Sequence, residues 1–458
     1  MKTFIKFILP VFILVIFFSC EKESVTPPDE NIENITQPYT QYGTPFGSIP
    51  ENEDIVMYEV NLRAFSSDGD IQGVINRLDE IKALGVNVIW LMPIHPIGEI
   101  NSVNSPYSIK DYKAVSSEYG TLEDLRTLTN EAHQKGMAVI MDWVANHTAW
   151  DNDWIENKDW YSQDGQGNII HPAGTNWEDV ADLNYSNLNM RKAMIDAMTY
   201  WIFEANIDGY RCDFADGVPF EFWQTALDTL STIPDRQYVF LAEGQRLDHF
   251  QAGFNLNFGW SFYGQLKSVF NGQNASNLFS THNSDYSVIP SGKHLLRFTT
   301  NHDESAWDNT PIVLFNGVDG SLAASVITIF TGGVPLFYTG QEVGRSSKVP
   351  FFSNSPINWN ANPGMLEAYK KLMNFYKGSN VAKIGTNTNH GNTNVVCLKK
   401  LYNSEKLLII VNVQNSIVDF SIPAELQYSN WTNVLTNVPV ILGISLELSN
   451  YEYVILKN

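Results

Sequence analysis

The sequence predicts an α/β fold: a (β/α)8 TIM barrel with a short insertion after the third strand, followed by a C-terminal all-β sandwich. Three observations predict it. Short apolar runs alternate with amphipathic stretches through eight strand–helix units between residues 55 and 376, and repeated βα units build parallel sheets that close at eight. No Gly-x-Gly-x-x-Gly turn follows the first strand, which argues against the alternative, an open doubly wound sheet. After Asn380 the helical period disappears and short β-prone runs follow at turn-rich spacing, the pattern of a small sandwich.

The elements follow in order. Residues 55–60 are apolar and β-prone. Residues 71–84 place Ile71, Val74, Ile75, Leu78, Ile81 and Leu84 at helical spacing, and Gly85 stops the run. Residues 87–92 form a buried strand ended by Pro93. Thr121 is placed as an N-cap, with Glu123 and Asp124 in the first turn, and Gly136 closes that helix. Residues 137–144 are the third strand. An insertion rich in Trp, Asp, Asn and Gly occupies residues 146–189, and residues 190–204 return to helix. The fourth strand leads into residues 208–219, and a helix at 220–229 and a strand at 238–242 follow. Strands at 254–258, 295–300 and 335–338 and helices at 262–270, 322–330 and 365–376 complete the barrel. The sandwich strands are expected at 395–401, 406–413, 418–422 and 453–456. The domains read as 52–145 plus 190–378 for the barrel, 146–189 for the insertion and 379–458 for the sandwich.

The N-terminus is read separately. Lys2 and Lys6 precede an apolar run from Phe7 to Phe18. That run is shorter than the roughly 20 residues of a bilayer span, and it fits the apolar core of a secretory signal. Ser19-Cys20 closes it, which resembles the lipobox of bacterial lipoproteins, although Phe17 stands where leucine is usual. This implies a signal peptide over residues 1–20, acylation of Cys20, export, and a lipid anchor holding a monomer at a membrane. An ordinary signal with a chance cysteine is the alternative. Residues 21–51, rich in Pro, Asn, Thr and acids, read as a flexible tether.

Composition narrows the partners. The net charge of −21 opposes nucleic acid and anionic lipid headgroups, which need positive patches. Three cysteines are too few for a disulfide framework, so Cys212 and Cys397 read as buried thiols. The 12 Trp, 20 Tyr and 26 Phe suit a large core and also supply rings that stack on sugars.

The chemistry gathers at strand ends, where a barrel keeps its active site. In Gly209-Tyr-Arg211-Cys-Asp213 the strand alternation sends Arg211 and Asp213 to one face and Cys212 to the other. On this stretch alone the pair is either a structural ion pair or an aimed, ionised nucleophile. The fifth strand ends at Glu243 and the seventh at Asn301-His302-Asp303, while the third runs Asp142-Trp-Val-Ala-Asn146-His147. Three acids on three strand ends are costly to bury without a function, by several kcal/mol unless paired.

These stretches resemble the four conserved regions of the alpha-amylase family, glycoside hydrolase family 13. Asp182-Leu183-Asn184, the run from Gly85 to Pro93 and the run from Gly333 to Glu342 match supporting regions in the right order. The resemblance implies retaining cleavage of α-1,4-glucosidic bonds in starch-like glucans. It makes Asp213 the nucleophile, Glu243 the acid/base and Asp303 the third carboxylate. Tyr107 would stack under the reacting sugar, and His147, Arg211 and His302 would bind around it. For turnover, Arg211 should favour ionised Asp213, while burial and neighbouring acids should raise Glu243. No organic cofactor is implied. Calcium is suggested by Asn146, which matches a family ligand, with Asp182 and the further oxygen donors Asp151, Asp153 and Asp179; solvated loop acids read the same way.

Two positions depart from the family. Asp216 and Gly217 stand where many relatives carry lysine and histidine, which leaves substrate contacts beyond the cleavage point and metal use open. Trp150, Trp154, Trp160 and Trp177 in the insertion are candidate sugar platforms or packing residues. A glucanotransferase or a cyclodextrin- or pullulan-degrading enzyme would use the same carboxylates. A non-catalytic glycan-binding protein is disfavoured by the intact acid set.

Overall fold

A computed structural model describes residues 39–458. The signal peptide and Cys20 lie outside the described residues, as does the first part of the expected tether. Eight parallel strands close a barrel: β1 (Met57–Val60), β2 (Val88–Leu91), β3 (Ala138–Val144), β4 (Gly209–Asp213), β5 (Val239–Ala242), β6 (Leu256–Phe258), β7 (His294–Arg297) and β8 (Val334–Tyr338). Each pairs with its sequence neighbours, and β1 returns to β8 with Met57 opposite Leu336. Every residue of β1 to β5 is buried, because helices cover the outside and side chains fill the inside.

The interior is layered with a period of two. Met57, Val88, Trp90, Ala138, Ile140, Val239, Leu241, Leu256, Phe258, Val334 and Leu336 form one buried apolar cluster. Continuing the same parity toward the C-terminal strand ends places Glu59, Asp142 and Glu243 in line with Met57, Ile140 and Leu241. The strands that supply the core therefore also lift a polar layer to the rim. Gly209 lets β4 sit close to β5: its φ is +143°, and a Cβ there would lie 2.1 Å from the Val239 carbonyl oxygen.

The helical layer differs from expectation in three places. The run expected over 71–84 is two short helices, Ile71–Ile75 and Leu78–Ala83, the first capped by Asp70 on the Gly73 N–H. Between β5 and β6 there is only a one-turn 3₁₀ helix, Leu247–Phe250, because the short link also carries the Glu243 loop. After β6 a second helix, Ser276–Tyr286, follows Trp260–Phe270. It buries only Leu278 and His282, so its apolar period is too sparse to read. Thr121 does cap Leu122–Gln134, with a capping box to Asp124.

The expected tether needs correction at its C-terminal end. Residues 39–51 pack on the barrel instead of floating free. The Tyr42 N–H donates to the Phe203 carbonyl at 2.8 Å, Tyr39 hydrogen-bonds Asp196 at 3.0 Å, and the Arg126 guanidinium lies 4.4 Å from the Tyr42 ring centroid. Phe46 stacks on His133 at 4.4 Å, and Phe46 and Ile49 pack against the barrel core. Local composition hid this because the partners lie on distant helices.

The insertion is a two-stranded sheet, His147–Ala149 against Val180–Asp182, with 3₁₀ turns between. The barrel's last helix is Pro363–Lys377. Beyond it lie β9 (Thr386–Asn389), β10 (Val395–Tyr402), β11 (Glu405–Asn412), β12 (Val418–Ser421), β13 (Asn430–Asn433), β14 (Pro439–Ile441), β15 (Ser445–Leu448) and β16 (Tyr453–Lys457). Six form one sheet in the order β9-β10-β11-β16-β13-β14, and β12 pairs with β15. Cys397, Leu408 and Ile410 of the large sheet meet Phe420 and Leu448 of the small one in a common core. The unexpected strands β9, β13, β14 and β15 are short and partly exposed, so they lack an apolar alternation.

Candidate active site

Arg211 is the centre of the site. It is fully buried, and three carboxylates from three strand ends surround it. Its Nη1 donates to Asp142 Oδ1 at 2.7 Å and to Asp213 Oδ1 at 3.0 Å. Its Nη2 lies 2.9 Å from Glu243 Oε2. The rings of Trp90, Tyr107 and Phe258 lie 5.0, 5.7 and 5.8 Å from the guanidinium carbon. One cation thus answers three acids in a water-poor setting. Asp142, quoted in the sequence only as part of a motif, is the closest of the three.

The backbone beyond Asp213 is turned for this purpose. Phe214 has φ +41°, a left-handed conformation unusual for a bulky residue. The turn directs the Phe214 N–H to Glu243 Oε2 at 2.8 Å, and the Ala215 N–H bonds the Glu243 carbonyl at 2.9 Å. The β4 and β5 loops are therefore tied together at the two acids.

Burial pushes the Asp213 carboxyl well above the aspartate range. Arg211 opposes this, while Glu243, Asp142 and Asp303 add to it. Arg211 favours the ionised form, as the sequence leads one to expect, but burial and the neighbouring acids outweigh its single charge. Asp142 is also raised by burial, against Arg211 and His302.

The two histidines are opposites. Burial holds His147 down at about 4, so it is neutral. For His302 burial also lowers, but Asp303 and Glu59 outweigh it and push the imidazole up to about 9. The Tyr107 Oη bridges His302 Nε2 at 2.8 Å and Asp142 Oδ2 at 3.2 Å, and the Tyr107 and His302 rings stack at 5.4 Å.

Asp213, Glu243, Asp303, Tyr107, His147 and His302 all line one cleft of about 760 Å³, within the usual range of ligand pockets. Arg211 lies beneath it. The cleft walls include Trp177, Phe214, Trp260, Trp307, Phe351 and Phe352. Of the four insertion tryptophans singled out by sequence, only Trp177 lines the cleft, edge-on to His147 and Phe214. Trp154 packs on Tyr112 and Trp160, and Trp150 donates to the Glu178 carbonyl. Trp307, which sequence reasoning missed, is 63% exposed on a π-turn just after Asp303. No local pattern distinguishes such a ring from a core residue.

The departure at Asp216 and Gly217 acquires a structural meaning. The Asp216 carboxylate accepts the Gln245 N–H at 3.0 Å and the Arg246 N–H at 3.2 Å, so it braces the loop after Glu243. A Cβ on Gly217 would lie 2.4 Å from the Phe214 ring and 2.8 Å from Asn146 Oδ1, so this backbone has no room for a side chain there.

The candidate calcium donors stand in different local settings. Asn146 is buried with its amide nitrogen 3.3 Å from His147 Nδ1. Asp182 pairs across the insertion sheet with His147. Asp151 is held by Lys110 at 3.0 Å and by the Glu99 N–H, while Asp179 faces the cleft. Among the described residues no three His, Cys, Asp or Glu side chains are grouped to hold a metal ion.

Residues 42–257 match the alpha-amylase catalytic domain. Alpha-amylase MalA of Haloarcula japonica is 28% identical over 315 residues, covering 65% of this chain and 45% of that protein. Alpha-amylase 3 of Dictyoglomus thermophilum is 26% identical over 356 residues, 68% of each chain. The chain thus spans less than half the length of the haloarchaeal relative. Among solved structures, an alpha-amylase from Lactobacillus plantarum superposes with a TM-score of 0.79 at 26% identity, covering 89% of this chain and 99% of that one. With the barrel, the acid set at its rim and these likenesses in agreement, residues 42–257 carry a catalytic domain of the alpha-amylase family of glycoside hydrolases.

Proposed function

We propose that this protein is a retaining glycoside hydrolase that cleaves α-1,4-glucosidic bonds in starch-like glucans and maltooligosaccharides. The observation that carries the reading is the convergence of Asp213, Glu243 and Asp303, from the ends of three strands, on one aromatic-walled cleft. Asp213 attacks the anomeric carbon as Glu243 gives its proton to the departing glycosidic oxygen. Water, deprotonated by Glu243, then breaks the glycosyl–Asp213 bond. Attack requires Asp213 ionised, and Arg211 is the group that stabilises that form against burial. Asp303 accepts hydrogen bonds from sugar hydroxyls and offsets positive charge as the ring flattens. Neutral His147 and the Tyr107 ring hold the same sugar, the ring by stacking.

The test is a product profile over time on soluble starch, pullulan and defined maltooligosaccharides. Shorter products alone support hydrolysis, and products longer than the substrate assign a glucanotransferase instead. Attack on pullulan or cyclodextrins in preference to starch assigns the related specificity. Glu243→Gln is expected to abolish turnover and keep glucan binding. Full activity in that variant refutes the acid/base assignment.

A further inference from the structure

We propose that Glu59 is a positioning residue for this reaction: buried behind the cleft, it keeps both imidazole protons on His302, and through Tyr107 it orders the hydrogen bonds of the acid cluster. The inference rests on the hydrolase reading above. Glu59 is the one charged residue in the strand Met57–Val60 and is fully buried. A buried carboxylate needs a partner. Its Oε1 lies 2.5 Å from His302 Nδ1 and 3.4 Å from the His302 backbone nitrogen. Its Oε2 has no partner among the described residues. It does not line the cleft, so any effect on the sugar passes through His302.

Proton counting gives the direction. Tyr107 Oη has one proton and two close neighbours, His302 Nε2 and Asp142 Oδ2. Asp142 acts as an acceptor throughout, from Arg211 Nη1 at 2.7 Å and Trp90 Nε1 at 3.1 Å. The tyrosine proton therefore belongs to Asp142, and the Tyr107 oxygen must accept from His302 Nε2. With Nδ1 donating to Glu59, the imidazole carries two protons. A neutral imidazole donating to Glu59 leaves Nε2 bare. Tyr107 then turns its proton to Nε2, and Asp142 loses a donor beside Arg211. The same device, a carboxylate fixing the protonation of a ring nitrogen, sets histidines in catalytic triads.

The surrounding groups agree. Asp303 Oδ2 lies 3.5 Å from His302 Nε2. Arg211 opposes the imidazolium, and Asp303 and Glu59 outweigh both it and burial. The Asn61 side-chain amide donates to the Tyr338 oxygen at 2.9 Å, and the ring neighbours Trp90 and Phe351 are uncharged.

Glu59→Gln tests this, because it removes the charge and keeps the shape. Its kcat/KM on a maltooligosaccharide is expected to fall about 10–100-fold at pH 8, the usual scale for a lost supporting partner. The loss should shrink on acidification, and the high-pH limb should move down as His302 returns toward an ordinary histidine. A merely structural glutamate would not move that limb. Imidazole 15N shifts of 15N-histidine-labelled protein, with His302 assigned from His302→Asn, need no substrate. They should report both nitrogens protonated at pH 7.5 in the wild type, and one bare nitrogen in Glu59→Gln. A neutral His302 in the wild type at that pH, or wild-type kcat/KM and pH limb in Glu59→Gln, overturns the proposal. Should Glu59→Gln not fold, the wild-type spectrum decides alone, and Glu59→Asp should keep both protons. If no glucan is cleaved at all, the hydrolase reading falls while the spectra still decide the role of Glu59.

Discussion

Arg211→Met tests the charge logic of the site directly. The substitution keeps an unbranched side chain in an aromatic pocket and removes the cation that Asp142, Asp213 and Glu243 share. Two of its contacts are aligned bonds, at 2.7 and 3.0 Å, and bonds to charged groups contribute about 1.5–3 kcal/mol each. Breaking a buried ion pair from one side costs about 3–5 kcal/mol, so the two routes agree on a loss of that size at neutral pH. With an unfolding entropy of about 2.1 cal/mol/K per residue over the described residues, this lowers Tm by roughly 3–6 °C. The loss must depend on pH. Asp142 and Asp213 are raised carboxyls, and without Arg211 they rise further. Above those values the variant buries uncompensated anions. As pH falls through them the acids take up protons and the penalty disappears. Calorimetry or circular dichroism at pH 7.5 and pH 4.5 reads the difference. An equal loss at both values would show that Arg211 acts by packing, and the electrostatic account would be wrong.

Two further perturbations probe other parts of the chain. Lys400 is buried, with its Nζ on the carbonyls of Phe330 at 2.9 Å and Ala382 at 2.6 Å, and burial pulls it down to about 7. A depressed lysine opposes folding below its folded value and stops doing so as pH rises toward its unfolded value. Its contribution should therefore raise stability with pH above 7, by up to about 1.4 kcal/mol per pH unit; Lys400→Met should flatten that slope in melting curves, and an identical slope counts against it. Phe46→Ala removes the half-buried ring stacked on His133 and is expected to cost about 1–3 kcal/mol, less than a full core phenylalanine; an unchanged Tm would mean that the segment from residue 39 is not docked in solution.

The acid set was legible because it sits where strand periodicity and strand ends coincide. Asp213 and Glu243 each follow an apolar run that says which way they face, while Asp303 lies beyond the seventh strand after the polar stretch Thr299–His302. Glu59 was equally readable in principle, since an acid inside Met-Tyr-Glu-Val is out of pattern, yet nothing local names its partner. His302 is 243 residues away in sequence and meets it only because β1 returns past β8 to close the barrel. The docking of residues 39–51 was misjudged for a related reason. Tyr39, Tyr42 and Phe46 stand among prolines and polar residues, and their partners Asp196, Arg126 and His133 lie on helices built from other parts of the chain. The four unexpected sandwich strands and the helix Ser276–Tyr286 were hidden by exposure, which removes the apolar period that marks an element.

What the sequence by itself determined is the barrel, its β-rich C-terminal domain and the chemical type of the site. Periodicity and residue type are local properties, and local steric and solvation rules act on them directly. Tertiary structure alone decided the state of those groups. It set one guanidinium against three carboxylates, shifted His147 and His302 in opposite directions, turned Asp216 into a loop brace and placed Trp307 on the cleft wall. Protonation and orientation depend on distance, burial and the count of opposing charges, and those quantities exist only once strands remote in sequence have been brought side by side.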